Sequence, residues 1–240
     1  MPYQAPHADQ RVMGIFTMSA AEQRPILTID TSSAQGGIAW YDGAHLSLRS
    51  WPAERSHTTT LLAEIHHLLD ADGIGPRDIA AITVAIGPGA FTGLRAGIGA
   101  AKGFHLATGV PLIGVSTLAA TALPFVACGQ PIVATVAAGR GRLVWAHYRA
   151  DGAGVMETRP PRNGTIGELA EELATAEGVI VSGELDAQQV EAVAVIDGVI
   201  VPPAALRSRQ PSSLAEIGWR RWLAGQVDDA TALEPVYLSR

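Results

Sequence analysis

Carboxylates are missing from the middle of this chain. From Ile79 to Ala150, 72 successive residues contain no Asp or Glu, while Arg95, Lys102, Arg140, Arg142 and Arg149 give the stretch a charge of +5. No carboxylate general base or metal ligand can come from there. The 240 residues together carry -6, leaving -11 for the remainder. That balance argues against an extended nucleic-acid surface, which needs clustered Lys and Arg. Cysteine is scarcer still. The single Cys128 excludes an intramolecular disulfide, suits a reducing compartment, and is expected to be a small buried apolar residue. Long apolar runs are wanting too. Leu106 to Gly139 is uncharged for 34 residues, but Gly109, Pro111, Gly114, Pro124, Gly129 and Pro131 cut it into pieces far shorter than the ~20 residues that cross a bilayer. No membrane association is expected. Four residues beyond His57, His66 and His67 stand Leu61, Asp70 and Ala71, so the spacing of a helical zinc pair is absent and no metal site is expected. Met1 to Arg24 lacks hydrophobic periodicity and the basic start and apolar core of a signal peptide; it reads as a disordered leader.

What the chain does have is material for a sizeable core, with 48% hydrophobic residues, and a strand-turn-helix unit over Ile82 to Gly103, ITVAIGPGAFTGLRAGIGAAKG. The β-branched run stops at Gly87-Pro88-Gly89, and a helix of small residues begins near Thr92, whose hydroxyl is placed to cap it. As a phosphate cradle the motif is incomplete. A Walker loop ends in Gly-Lys-Ser/Thr, whereas Gly93 is followed by Leu94 and Arg95. A dinucleotide loop wants its third glycine one residue before Gly93, and an acidic residue after the next strand. Close packing of helix on sheet is the reading these residues favour. Gly93, Gly97 and Ala101 recur at every fourth position, as do Ala96 and Ala100, the spacing that lets another backbone come near. Each helical glycine costs about 1 kcal/mol against alanine, so Gly93, Gly97, Gly99 and Gly103 need a packing reason.

Ahead of this unit, Ile26 to Asp30 reads as a strand ending in the turn-prone Asp30-Thr31-Ser32-Ser33. Gly37 to Tyr41 and Ala44 to Ser50 read as strands joined at Asp42-Gly43. Ser56 to Asp70 is an amphipathic helix built on Leu61, Leu62, Ile65, Leu68 and Leu69 and capped by Ser56. After the unit come a strand over Leu112 to Val115, a helix over Thr117 to Leu123, and strands over Ile132 to Val136 and Leu143 to Tyr148. Beyond Asp151 the pattern thins to a helix over Ile166 to Thr175, a buried strand over Val179 to Ser182, and a helix over Ser212 to Leu223 capped by Ser212 or Ser213. No internal repeat is visible. The alternation is that of an α/β protein. Asp30 is the one carboxylate in a suggestive place: in a kinase-like site it would face a metal–phosphate, and otherwise it accepts hydrogen bonds from its own turn.

Five stretches resemble the TsaB family, also called YeaZ: Ile29-Asp30-Thr31-Ser32, Ser56-His57-Thr58 ahead of Leu61-Leu62, Gly87-Pro88-Gly89-Ala90-Phe91-Thr92-Gly93-Leu94-Arg95, Gly114-Val115-Ser116-Thr117-Leu118, and the terminal Glu234-Pro235-Val236-Tyr237-Leu238. The resemblance covers Ile26 to about Leu118 and the last residues. It implies a two-lobed actin-like, sugar-kinase-like ATPase (ASKHA) fold, with an N-terminal lobe over 25–115 and a second lobe over 116–240 after the leader at 1–24. A C-terminal helix near 212–224 is expected to pack back on the first lobe. It implies a cytoplasmic protein that pairs with TsaD and works with the ATPase TsaE and a TsaC-type synthase. Together these install threonylcarbamoyladenosine in tRNA next to the anticodon, and this subunit meets tRNA only indirectly. TsaB is the non-catalytic member, so no catalytic residue is expected. The His-x-x-x-His pair of TsaD would begin at His57, and Leu61 removes it. The implied docking face, used for a homodimer when the protein is alone, comprises His57, Thr58, Leu61, Leu62, Ile65, Phe91, Leu94, Arg95, Ile98 and Lys102. No cofactor is required. Weak ATP or ADP binding at the partner interface is a further implication, with Asp30, Thr31, Ser32, Gly87 and Gly89 as candidate nucleotide-binding residues. One departure stands out: related sequences carry an Asp-Ala-Arg-type turn where this chain has Ala137-Ala138-Gly139-Arg140.

Two rival readings follow from the residues. An actin-fold small-molecule kinase would use Asp30 and the glycine turn and would hydrolyse ATP with magnesium by itself. A glycoprotease-like peptidase would need a His-Glu-x-x-His or a Ser–His–Asp set, and neither can be named from the spacing.

Overall fold

The computed structural model describes residues 24–52 and 57–237, with backbone alone for 57–59. Residues 1–23 of the expected leader, and the expected cap Ser56, lie outside the described residues.

Two five-stranded sheets carry the chain. The first holds β1 (Ile26–Asp30), β2 (Gln35–Tyr41), β3 (Leu46–Pro52), β4 (Ile82–Gly87) and β5 (Leu112–Ser116) in the order β3-β2-β1-β4-β5. The second holds β6 (Ile132–Ala137), β7 (Leu143–Asp151), β8 (Gly154–Gly164), β9 (Val179–Gly183) and β10 (Val199–Ile200) in the order β10-β9-β6-β7-β8. Taken from the opposite edge, the second order repeats the first. In each sheet the first three strands form an antiparallel meander, and the fourth and fifth add in parallel on the other side of the first. The helices repeat as well: α1 (His57–Ala71) precedes β4 and α2 (Phe91–Thr108) precedes β5. In the same places α4 (Ile166–Leu173) precedes β9 and α5 (Ala187–Ala194) precedes β10. This duplicated β-β-β-α-β-α-β lobe is the two-lobed actin-like arrangement. The halves share crossover rules rather than side chains, which is why no repeat shows in the sequence.

The parallel strands β1 and β4 are apolar almost throughout because both faces of the sheet are covered. On one face α1 and α2 pack Leu61, Ile65, Leu68, Ile98 and Ala101 over Leu27, Ile29, Ile82 and Val84. On the other lies α7 (Pro211–Leu223), whose Leu214 and Trp219 meet Ile26, Ala85, Ile113 and Val115. In the second lobe α4 and α5 cover one face through Leu169, Leu173 and Val193. The other is covered by α3 (Thr117–Ala122) and the 3₁₀ turn Leu123–Cys128, with Leu118 and Phe125. The chain therefore crosses between lobes at Ser116–Thr117 and again between α6 (Ala204–Arg207) and α7. After α7 it straps the end of the sheet: Asp228 N–H donates to the Leu112 carbonyl of β5 at 2.9 Å, and further on Val236 N–H donates to the Ile86 carbonyl of β4 at 2.8 Å.

Several local expectations are corrected. Helix α2 starts at Phe91 with Ala90 in the cap position and no side-chain cap, so Thr92 does not cap it. Helix α7 starts on Pro211 behind Gln210 rather than on a serine cap, since proline at the first helical position is already set for the helix. Strand β3 begins only at Leu46, because the Asp42 carboxylate holds the Ala44 and His45 N–H groups in the turn at 2.9 and 2.7 Å. Cys128 is exposed, not buried: it ends the 3₁₀ turn where Gly129 reverses the chain with φ 71°. Among the described residues no helix is long and apolar enough to cross a membrane.

Candidate docking face and interlobe cleft

The β1–β2 turn and the β4–α2 turn pack on one another. Ala90 N–H donates to the Ser32 carbonyl at 2.7 Å, and the Thr31 hydroxyl donates to the Gly93 carbonyl at 2.7 Å. The glycines serve this approach. A Cβ on Gly89 would lie 2.9 Å from that of Ser32 and nearer still to its backbone, and a Cβ on Gly97 would collide with the Thr31 hydroxyl. Gly87 has φ 109°, a conformation that side chains with a Cβ rarely adopt. The five candidate nucleotide-binding residues, Asp30, Thr31, Ser32, Gly87 and Gly89, are thus brought together, but much of their hydrogen-bonding and packing capacity is spent on neighbouring protein groups.

Asp30 is spent most completely. It is 5% exposed. Its Oδ1 accepts from the Ser32 N–H at 2.9 Å and the Ser32 hydroxyl at 2.5 Å, and its Oδ2 accepts from Arg209 Nε at 2.8 Å. Arg209 also donates through Nη2 to Ser32 Oγ at 2.6 Å and through Nη1 to Glu184 Oε1 at 3.5 Å. Burial alone would raise the Asp30 pKa, but the Arg209 guanidinium and the Ser32 donors outweigh it and hold the carboxyl below its ordinary 3.8. At Glu184 burial wins and pushes the carboxyl up, with Arg209 offsetting only part. The Asp30 contribution to stability is therefore complete above the unfolded value near pH 3.8 and is lost as pH falls through the lower folded value. Acid titration of unfolding free energy should show a steep loss below that point, and the loss should flatten in Asp30→Asn. Equal acid slopes for the two proteins would refute the assignment.

The nucleotide implied by the fold family does not fit the head of this cleft. The carboxylate that would face a metal–phosphate is neutralised by Arg209. The matching turn of the second lobe, Ala137-Ala138-Gly139-Arg140, supplies no acid. Alongside runs a cleft of about 500 Å³ lined by groups of both signs, among them Arg142, Asp186 and Arg207. Among the described residues no three His, Cys, Asp or Glu side chains gather as a metal cage. Sequence reasoning missed Arg209, which stands 179 residues from Asp30 and has no motif around it.

The predicted docking residues divide. Leu61, Ile65, Leu94 and Ile98 are 1, 4, 1 and 5% exposed. This corrects the expectation that they meet a partner: they point inward because the sheet beneath needs apolar cover. Leu62 and Phe91, at 60 and 52%, face solvent. Arg95 is exposed and Lys102 half-buried. The side chains of His57 and Thr58 lie outside the described residues. Phe91 stacks on Tyr237 with centroids 5.3 Å apart, and the Arg95 guanidinium sits 4.0 Å from the Phe91 ring centre. Lys102 Nζ donates to the Thr231 carbonyl at 3.4 Å. Cβ atoms on Gly99 and Gly103 would meet nothing within 4 Å, so these two glycines have no packing reason among the described residues. The outward stripe is therefore Phe91, Arg95, Gly99 and Gly103, flanked by the strap. Tyr237 belongs to it, though only its place in the terminal motif marked it.

Residues 52–202 match the family described as "TsaD: tRNA N6-adenosine threonylcarbamoyltransferase". The tRNA threonylcarbamoyladenosine biosynthesis protein TsaB of Escherichia coli (strain K12) is 31% identical over 230 residues, covering 89% of this chain and 94% of that protein. The chain belongs to the TsaB family. The TsaB protein of Bacillus subtilis (strain 168) is 29% identical over 221 residues, with 89 and 93% covered. The structure of YeaZ from Pseudomonas aeruginosa superposes with a TM-score of 0.75 at 23% identity, covering 89% of this chain and 99% of that one. The TsaB likeness therefore runs on through the second lobe, between the motif ending at Leu118 and the terminal one at Glu234.

Proposed function

We propose that this TsaB-family chain acts in threonylcarbamoyladenosine synthesis on tRNA as the docking subunit for TsaD, with no catalytic centre of its own. Family membership supports the pathway. The observation that supports the non-catalytic role is the Asp30–Arg209 pair at 2.8 Å: the carboxylate a kinase of this fold would aim at a metal–phosphate already has its cation. The partner face is the exposed part of α1 and α2, with Leu62, Phe91, Arg95 and Lys102, and the same face serves a homodimer when TsaD is absent. TsaE joins the assembly, tRNA is met through TsaD, and the setting is the cytoplasm. ATP or ADP belongs at the boundary with TsaD, since the groups at the cleft head are engaged.

Reconstituting tRNA modification with TsaD, TsaE and the synthase should give product only when this chain is added; undiminished product without it overturns the reading. Aromatic and arginine anchors carry much of an interface's energy. Phe91→Ala and Arg95→Ala should each weaken TsaD binding about tenfold, equivalent to roughly 1.4 kcal/mol, with an unchanged melting temperature. Ile98→Glu should instead lower the melting temperature, because it buries a charge in the core. Calorimetric titration against TsaD, paired with thermal unfolding, separates the two outcomes.

A further inference from the structure

We propose that Arg209 is an internal latch: a built-in counter-ion that fills the charge site at the head of the interlobe cleft and holds the two lobes in one fixed relation. The placement carries the idea. Arg207, two residues earlier, is tied to the second lobe, donating to the Gly183 and Leu185 carbonyls at 3.0 and 3.3 Å. Pro211, two residues later, is seated on the first lobe against Gly37. Arg209 therefore stands in the middle of one of the two crossings between lobes. Its side chain is 4% exposed, and its three nitrogens are divided between lobes. Nε and Nη2 go to Asp30 and Ser32 at the end of β1, and Nη1 goes to Glu184 just after β9.

The chemistry matches a cation held between two carboxylates, one from each lobe. In a nucleotide-binding cleft that charge arrives with the ligand and leaves with it, so the lobes can open and close. Here the charge is covalently part of the chain. A metal–phosphate approaching Asp30 must displace a guanidinium that makes three hydrogen bonds in a buried site. A guanidinium offers its donors in a fixed planar fork, so the latch sets orientation as well as distance. At the second crossing the Thr117 hydroxyl donates to the Pro88 carbonyl at 2.5 Å, tying the first turn of α3 to the glycine turn. Both crossings are thus tied to the same corner of the first lobe. The lobe relation is independent of nucleotide, and the proposal stands whether or not TsaD is the partner.

Hydrogen–deuterium exchange on the full chain tests it. In the wild type, amides of 31–36 and 205–210 should exchange slowly, and millimolar Mg-ATP should leave them unchanged. Arg209→Met should speed their exchange at least tenfold while peptides from α2 and β6 stay as they were. Breaking one side of a buried pair can unfold a protein, whereas removing both charges is often tolerated. The double variant Asp30→Asn, Arg209→Met is the companion, and it should fold and show the same local acceleration. Unchanged exchange at 31–36 and 205–210 in the folded double variant overturns the latch. So does wild-type exchange at those amides that shifts on adding Mg-ATP.

Discussion

Asp30→Ala should cost this protein about 3–5 kcal/mol of folding stability, the range for breaking a buried ion pair by removing one partner. Arg209 would then be left 4% exposed with Glu184 at 3.5 Å as its remaining counter-charge, and the Ser32 hydroxyl and N–H would lose their acceptor. Chemical denaturation at neutral pH measures it. A loss under 1 kcal/mol would mean the pair is replaceable by water. The result also separates scaffold from kinase. A catalytic aspartate, once removed, abolishes turnover and leaves stability roughly intact; Asp30 is expected to do the reverse, with no magnesium-dependent ATP turnover to lose.

The second large effect is expected at Gly218, where α7 crosses the middle of the first sheet. A Cβ there would lie 2.7 and 2.8 Å from the Cγ2 and Cβ of Thr83, with the hydroxyl nearer still. Thr83 is wholly buried on β4 and cannot step aside. Overpacking of this kind costs about 1–3 kcal/mol, and the clash is with rigid atoms near the backbone. Gly218→Ala should therefore lose about 2 kcal/mol net, even after the ~1 kcal/mol that alanine gains in a helix. In a chain of this length that is a fall of roughly 4–8 °C in melting temperature. Gly103→Ala is the contrast: its Cβ meets nothing within 4 Å, so it should raise the melting temperature. If both variants melt alike, helix α7 does not rest on Thr83.

Much of the first lobe was legible in the sequence because its signals are local. Asp42-Gly43 marks a turn, Gly87-Pro88-Gly89 stops a β-branched run, and Leu61, Ile65 and Leu68 repeat at helical spacing. The second lobe hides its elements. Strand β8 is an edge strand, exposed along most of its length and broken by Pro160-Pro161, so it shows no alternation. Helix α5, AQQVEAVA, buries only Gln189 and Val193, too little to leave a periodic pattern. Helical spacing also says which residues share a stripe and not which way the stripe faces, so it groups Leu94 and Ile98 with Phe91 and Arg95 although the sheet claims the first two. Arg209 was beyond reach because its meaning lies in Asp30 and Ser32, brought to it by the whole path of the fold.

The strap over β5 and β4 bears on how the protein can be handled. Val236 N–H is hydrogen-bonded to the Ile86 carbonyl and Tyr237 lies on Phe91, so Tyr237 sits beside the proposed partner face. A bulky label fixed at Tyr237 would crowd whatever docks on that proposed face and mimic a loss-of-binding mutation. Arg24, held by the carbonyls of Asp78 and Ile79, precedes β1 at the end away from Asp30, so a label fixed at Arg24 leaves that face clear.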